Sequence, residues 1–287
     1  MKIGIDSYCY HRFMGEVYPG QDEPAKPMTM EDFLDRAHEL KVDGVMVDTL
    51  FMPSKDHSYL RELKARMDQY GFDRVLDWGH PDGLERGQRP EKFQEMLEHI
   101  PLATVIGADV LHVIGSSLMF RHEPHQPQIK ALAKQFKKAV EVAKEYGVKL
   151  AIENHIDFTA VETLQLLEEI DSEFMGLTFD TGNFLRLLDD PVRGMEKLAP
   201  YVLATHVKDL MVDRTVSPHE WYFFSTVPVG QGIIDNEKLV ELLYKADYKG
   251  FLATEMDQPH SDWKNREDEA VELSVHELRR IAGKFVN

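Results

Sequence analysis

Short apolar segments recur along the chain, separated by stretches of helical periodicity. Eight of them read as strands: 2–6 (KIGID), 44–48 (GVMVD), 74–78 (RVLDW), 109–114 (DVLHVI), 149–153 (KLAIE), 176–180 (GLTFD), 202–206 (VLATH) and 251–255 (FLATE). The stretch 128–146 places Ile129, Leu132, Phe136, Ala139, Val140 and Ala143 at three- and four-residue spacings, the stripe of an amphipathic helix. Thr159, with Glu162 three positions on, is a capping box that opens a helix over 160–170. Asp235 is placed to cap another over 236–246, with Leu239, Leu242 and Leu243 inward. The stretch 267–285 reads as a closing helix. Gly147, Gly176 and Gly250 each stand just before a strand, where helix-terminating glycines belong. Strand–helix alternation without a composition break predicts one parallel sheet wrapped by helices. Eight such units in about 250 residues is the size of a (β/α)₈ barrel. The expected fold is therefore α/β, a single TIM barrel over residues 1–287.

The last four strand segments end in Glu153, Asp180, His206 and Glu255. A parallel barrel presents the carboxyl ends of its strands on one face, so three carboxylates and an imidazole would converge there. That donor set suits Mn²⁺, Mg²⁺ or Co²⁺ better than a structural zinc, which prefers thiolates. The plain alternative is four unrelated strand-end charges paired with lysines. Catalytic groups of barrels sit on this face, which favours the metal reading. Two glutamates beside a cation suit proton transfer next to a carbonyl: one carboxylate takes a proton from carbon, and the other can return it on the opposite face. A leaving group β to the carbonyl can be expelled instead, so the residues fix enolisation more firmly than its outcome.

Other side chains follow from the same geometry. His155 lies two residues past Glu153 and could act as general acid or base, or simply bond a neighbouring loop. Lys208, two past His206, could bind a substrate oxygen or pair with Asp209 or Glu255. His112 lies within the fourth strand, either packed or pointing into the barrel mouth, and His80 closes the third as a substrate-contact candidate. Trp78 could stack on a sugar ring or pack the barrel. Two long loops, 11–27 and 210–232, should shape the pocket; the second carries His219, Trp221, Tyr222, Phe223 and Phe224. The GQG at 230–232 reads as a tight turn before the helix capped by Asp235.

Composition narrows the function class. A net charge of −17 argues against a partner bound through its phosphate backbone, hence against nucleic acid, and is compatible with neutral sugars, a metal ion and protein subunits. No apolar run approaches the ~20 residues of a spanning helix, so no membrane role is expected. The only cysteine is Cys9, which rules out an internal disulfide and points to the cytoplasm, as does the start MKIGIDSYCY, unlike a signal peptide. No GxxxxGK[ST], CxxC, HExxH or GxSxG occurs.

The ordered series AIENH, FDTGN, THVKD and TEMD, with GQGIID between the last two, resembles the xylose-isomerase-like barrel superfamily of sugar isomerases, epimerases and class IV apurinic endonucleases. That resemblance implies that Glu153, Asp180, His206 and Glu255 hold a divalent metal and that Glu153 and Glu255 are the acid/base pair. The endonuclease branch carries a further histidine where this chain has Asn183, which argues against DNA repair. The segment GIDSYCYHRFMGEVYP (4–19) is similar to the catalytic subunit of bacterial C-glycoside deglycosidases. This similarity implies cleavage of the carbon–carbon bond of a 3-keto C-glycoside, Mn²⁺ as cofactor and a small β-rich partner subunit. It implies His155 as acid/base on the aglycone side, with Tyr8, His11, His80, His112, Lys208 and Trp221 around the substrate. A keto-sugar epimerase or isomerase, and a metal-retaining barrel without catalysis, are the competing readings.

Overall fold

The computed structural model describes residues 1–79 and 82–285. Ten strands occur among them: β1 (Lys2–Asp6), β2 (Gly44–Asp48), β3 (Asp73–Asp77), β4 (Val110–Ile114), β5 (Lys149–Glu153), β6 (Met175–Asp180), β7 (Val202–Val207), β8 (Asp209–Val212), β9 (Phe224–Val227) and β10 (Phe251–Thr254). Eight of them close a barrel in the order β1-β10-β7-β6-β5-β4-β3-β2, and every pair within it is parallel. The expected α/β (β/α)₈ barrel is what forms, with strand limits within a residue or two of those read from the sequence. The wrapping helices are α1 (Met30–Glu39), α2 (His57–Tyr70), α3 (Pro90–Ile106), α4 (His125–Tyr146), α5 (Ala160–Ile170), α6 (Asn183–Arg186), α7 (Pro191–Leu198), α8 (Asn236–Lys245) and α9 (Glu267–Ala282).

Strand alternation sorts the side chains into two shells. Ile3, Ile5, Val45, Val47, Leu76, Leu111, Val113, Leu150 and Ile152 belong to the large core shared with the helices. The opposite faces of these strands point inward, and Met46, Val75, Ala204, Phe251 and Ala253 plug the lower barrel. One layer higher, the same inward rows end in polar groups. The ladder places Asp77 beside His112 and Asp180 beside His206, so sheet register alone fixes who neighbours whom at the mouth.

The capping box of Thr159 and Glu162 forms, as does the Asp235 cap on α8. Gly147 terminates α4 in the left-handed region. Gly176 and Gly250 do something else. Helices α5 and α8 are followed by left-handed Asp171 and Asp247 instead. Gly176 is needed because a Cβ there would come within 2.5 Å of the Tyr201 carbonyl oxygen. The stretch 210–232 is not wholly loop: β8 and β9 pair antiparallel across it, from Asp209 opposite Val227 to Val212 opposite Phe224.

Candidate active site

Glu153 ends β5, Asp180 ends β6, His206 lies in β7 and Glu255 follows β10. One ligand atom from each of these four buried side chains lies within 4.8 Å of the others. His206 Nδ1 is 2.7 Å from Glu255 Oε2 and 3.3 Å from Glu153 Oε1. Asp180 is held from several sides. The Asn154 amide bridges to its backbone, donating to the Asp180 carbonyl at 2.9 Å and accepting its N–H at 2.9 Å. The Gly182 and Asn183 N–H groups donate to Asp180 Oδ1. Asn183 Nδ2 also donates to Glu153 Oε1 at 3.1 Å, so the residue that departs from the endonuclease pattern orients a carboxylate of the cluster.

Lys208 joins the cluster from the short link between β7 and β8. Its ammonium sits 2.5 Å from Asp180, 3.0 Å from Glu255 and 3.3 Å from Asp257. It does not pair with Asp209, whose carboxylate is wrapped by the GQG turn: the N–H groups of Gly230, Gly232 and Ile234 donate to it at 2.9, 3.0 and 3.1 Å. The two glycines therefore serve the anchoring of Asp209, next to Lys208. Behind Lys208, Arg186 makes a buried two-pronged pair with Asp257, and its guanidinium carbon lies 4.9 Å from the Trp221 ring centroid.

The charge balance tests whether a cation belongs here. Asp6, Asp48, Asp77, Glu153, Asp180, Glu255 and Asp257 are all buried, against Lys208 and Arg186 as permanent cations. Burial pushes Asp48 up to about 8 and Asp180 up to about 7, the latter despite Lys208. Burial also disfavours the His206 imidazolium, but Glu255 and Glu153 outweigh it and keep the proton on well above the usual imidazole range. Fully ionised, these seven carboxylates would outnumber the three cations Lys208, Arg186 and protonated His206, and the raised pKa values of Asp48 and Asp180 register that excess. Three carboxylate oxygens and one imidazole nitrogen within 4.8 Å fit a divalent cation that takes the place of that proton.

A cavity of about 420 Å³ opens above the cluster. Glu153, His206, Lys208 and Glu255 form its floor, and His112, His155, Tyr8 and Trp221 also line it. His155 gets there through a turn beyond the end of β5, not through strand alternation: Asp157 Oδ1 accepts its N–H and Ile156 takes a left-handed φ of 55°. Burial lowers its pKa, so the ring is neutral near pH 7, and its Nδ1 has no hydrogen-bond partner among the described residues. His11 is a correction. Both its ring nitrogens lie against backbone carbonyls, of Glu16 at 2.6 Å and Asp257 at 2.8 Å, and it does not line the cavity. It ties the amino-terminal loop to the segment after β10. His80 lies outside the described residues. The upper wall is aromatic and apolar: Tyr8 and Tyr18 touch through their hydroxyls, Tyr18 meets Trp221 edge-on, and Leu50, Met119 and Ile156 complete it. Asp6, Asp48 and Asp77 also line the cavity, and the rule that found the tetrad would have found them, since each ends an apolar strand segment.

A closed parallel barrel with a buried carboxylate–imidazole cluster at the carboxyl ends of its strands defines a class of metal-competent barrel proteins. Residues 34–280 match the family model of the xylose isomerase-like TIM barrel, and the chain belongs to that family. It is 27% identical over 254 residues to an inosose dehydratase of Mesomycoplasma hyopneumoniae, covering 80% of this chain and 82% of that protein. In fold it resembles a xylose isomerase domain protein from Planctomyces limnophilus, with TM-score 0.76 at 19% identity, covering 99% of this chain and 97% of that one. It also resembles the IolI protein, solved with a binding zinc atom, with TM-score 0.75 at 16% identity over the whole of both chains. No described helix is long and apolar enough to cross a membrane.

Proposed function

We propose that the chain is a divalent-metal-dependent lyase that enolises a cyclic keto-sugar and expels a group β to the carbonyl. We propose further that its substrate is a 3-keto C-glycoside, its metal Mn²⁺ and its place of work the cytoplasm, together with a small β-rich partner subunit. The observation that carries the reading is the two-part cavity: an acid–imidazole floor built for proton transfer lies under an aromatic roof large enough for a planar leaving group. The similarity of residues 4–19 to the C-glycoside deglycosidases supports the same substrate and partner.

When bound, the cation supplies Lewis acidity to the ketone oxygen and so acidifies the adjoining C–H. Glu153 and Glu255 both meet His206 Nδ1, and either carboxylate can accept the C2 proton. Lys208 holds Asp180, Glu255 and Asp257 in place and favours the charged forms of Glu255 and Asp257. Neutral His155 takes the phenolic proton of the aglycone and then delivers a proton to the aryl carbon. The C1–aryl bond breaks as a C1=C2 bond forms, and its electron pair goes to the aryl carbon. The products are the unsaturated 3-keto sugar and the free aglycone, with no net redox change.

A second reading, elimination of water from a keto-cyclitol, is favoured by the similarity to an inosose dehydratase. The two are separated by incubating Mn²⁺-loaded protein, with and without its partner subunit, with a 3-keto C-glycoside or an inosose in D₂O and analysing by mass spectrometry. Free aglycone, lost in His155→Ala and Glu153→Gln, supports the carbon–carbon lyase. Loss of water from inosose alone moves the assignment to a dehydratase. Deuterium incorporation without elimination moves it to an epimerase or isomerase.

A further inference from the structure

The roof of the cavity holds polar groups that the proposed chemistry does not use. Tyr8, Glu16 and Tyr18 all line the cavity from the connection after β1. The Tyr8 and Tyr18 hydroxyls touch. Whichever of them donates, one hydroxyl proton lies between the two oxygens and the other is left over, with no acceptor among the described residues. Burial pushes the pKa of both phenols up, and the Glu16 charge adds to the shift, so both keep their protons near pH 7. Glu16 Oε2 is buried and has no hydrogen-bond partner among the described residues. One spare donor and one spare acceptor therefore stand in the same wall. A buried acceptor costs free energy until a donor reaches it, so that donor is expected from a ligand.

These groups are held in place. The His11 ring packs on both tyrosines, 4.9 Å from that of Tyr8 at an interplanar angle of 24° and 4.7 Å from that of Tyr18. Its Nδ1 meets the Glu16 carbonyl at 2.6 Å, and the Glu16 N–H donates to the His11 carbonyl at 2.9 Å. Gln21 Oε1 accepts the Tyr18 N–H at 2.9 Å, and Trp221 meets Tyr18 edge-on at 6.0 Å. A wall fixed this way loses little freedom when a ligand binds. A divalent cation would find one carboxylate and two neutral phenols there, short of the roughly six oxygens it takes. A hydroxyl on an aromatic ring fits better, since it is donor and acceptor at once and its ring can pack on the aromatic wall.

We propose that Glu16 and the Tyr8–Tyr18 pair form a phenol-reading subsite, in which Glu16 accepts the proton of an aromatic hydroxyl and the free tyrosine hydroxyl donates to its oxygen. The subsite rests on the reading that the leaving group is aromatic, and it deepens that reading. His155 serves the phenol that activates the breaking bond, and Glu16 selects aglycones that carry a second one.

The test is titration calorimetry of the Mn²⁺-loaded wild type, Glu16→Met and Glu16→Gln with 2-naphthol, 2-methoxynaphthalene and naphthalene. The wild type should bind 2-naphthol at least about tenfold more tightly than either of the others. Glu16→Met should erase that preference by weakening 2-naphthol alone, and Glu16→Gln, which keeps an acceptor, should restore part of it. Equal binding of the three ligands by the wild type overturns the subsite and leaves the aromatic leaving group standing. A preference that survives in Glu16→Met, or equal weakening of all three ligands there, also overturns it, in the second case because Glu16 then only supports the roof. Binding of none of the three by the wild type removes the aromatic leaving group from the functional reading and the subsite with it. If Glu16→Met does not fold, Glu16→Gln decides: an undiminished preference for 2-naphthol overturns the subsite.

Discussion

Replacing Arg186 with methionine tests how the roof of the cavity is fastened to its floor. The Arg186 side chain is 1% exposed and donates to both oxygens of Asp257, at 2.5 and 2.8 Å, to Asn183 Oδ1 at 3.2 Å and to the Phe224 carbonyl at 3.3 Å. Methionine keeps much of the aliphatic volume and removes the charge. Asp257 then remains buried with the Thr226 hydroxyl at 2.6 Å and Lys208 at 3.3 Å. Breaking a buried pair from one side typically costs about 3–5 kcal/mol. The surviving partners of Asp257 place Arg186→Met at or just below the low end of that range, about 2–3 kcal/mol, or roughly 4–12 °C in Tm for a domain of this size. Removing the stranded charge as well, in Arg186→Met/Asp257→Asn, should recover part of that loss, a coupling read from the double-mutant cycle in urea denaturation. The single variant should also be cut faster by protease between 213 and 223, because the Phe224 carbonyl and the Trp221 ring lose their anchor. An Arg186→Met protein within about 0.5 kcal/mol of wild type, or a double variant that recovers nothing, would refute the reasoning.

Glu153→Gln and Glu255→Gln should each lower turnover at least about a hundredfold in the D₂O assay, and full activity in either would sink the metal–carboxylate mechanism. Stripping metal with a chelator should lower the Tm by several degrees and excess Mn²⁺ should restore it; a melting curve indifferent to both would mean the cluster is not a metal site. Gly232→Ala should cost about 2–4 kcal/mol, because its Cβ would fall 2.1 Å from Asp209 Oδ1 and 2.5 Å from the Leu210 carbonyl, and thermal melts will show whether the GQG turn has that slack. Burial works against ionisation of Asp213, but donors from Thr215 and Ser261 win and bring it down to about 2. Its folded pKa lies below its unfolded one, so its stabilisation is present above about pH 4 and is lost as pH falls from there towards 2. Asp213→Asn should therefore flatten the acid limb of a stability–pH curve, and an unchanged limb would count against that role.

The barrel and its four-residue carboxylate–imidazole cluster were legible because they rest on local rules. An apolar strand segment ending in Glu153, Asp180, His206 or Glu255 needs only the period of a strand and the parallel order of a barrel to bring those groups together. The same rule reaches Asp6, Asp48 and Asp77. They are harder to read because aspartate is also a common turn residue, so it marks a strand end less plainly than histidine or glutamate does. Arg186 and Asp257 were not legible at all. They are 71 residues apart and meet because α6 and the segment after β10 converge beneath Trp221, a contact that no spacing encodes. His11 misled for the opposite reason: an aromatic-rich loop beside the mouth looks like a substrate wall, yet this ring faces backbone carbonyls. The β8–β9 ladder was hidden by the Pro, Ser and charged residues of the turn it encloses.

The division of the mouth also explains why the residues point to enolisation, as proposed, more firmly than to a leaving group. Glu153, Asp180 and His206 sit on strands, and Glu255 directly follows one; the ladder and the Asn154 amide hold their backbones, so their separations follow from the barrel itself. Tyr8, Tyr18 and Trp221 instead sit on connections after β1 and between β8 and β9, where sequence can change without moving the floor. On the proposed function, proton transfer next to a carbonyl belongs to the barrel, while the identity of the departing group belongs to the roof. Arg186 is where the two meet, since one guanidinium bonds Asp257 at the floor, the Phe224 carbonyl on β9 and lies against Trp221 above. A change of leaving group should then be reachable by substitutions in the roof that leave Glu153, His155 and Glu255 in place, whereas no change in the roof should restore turnover once either glutamate is lost.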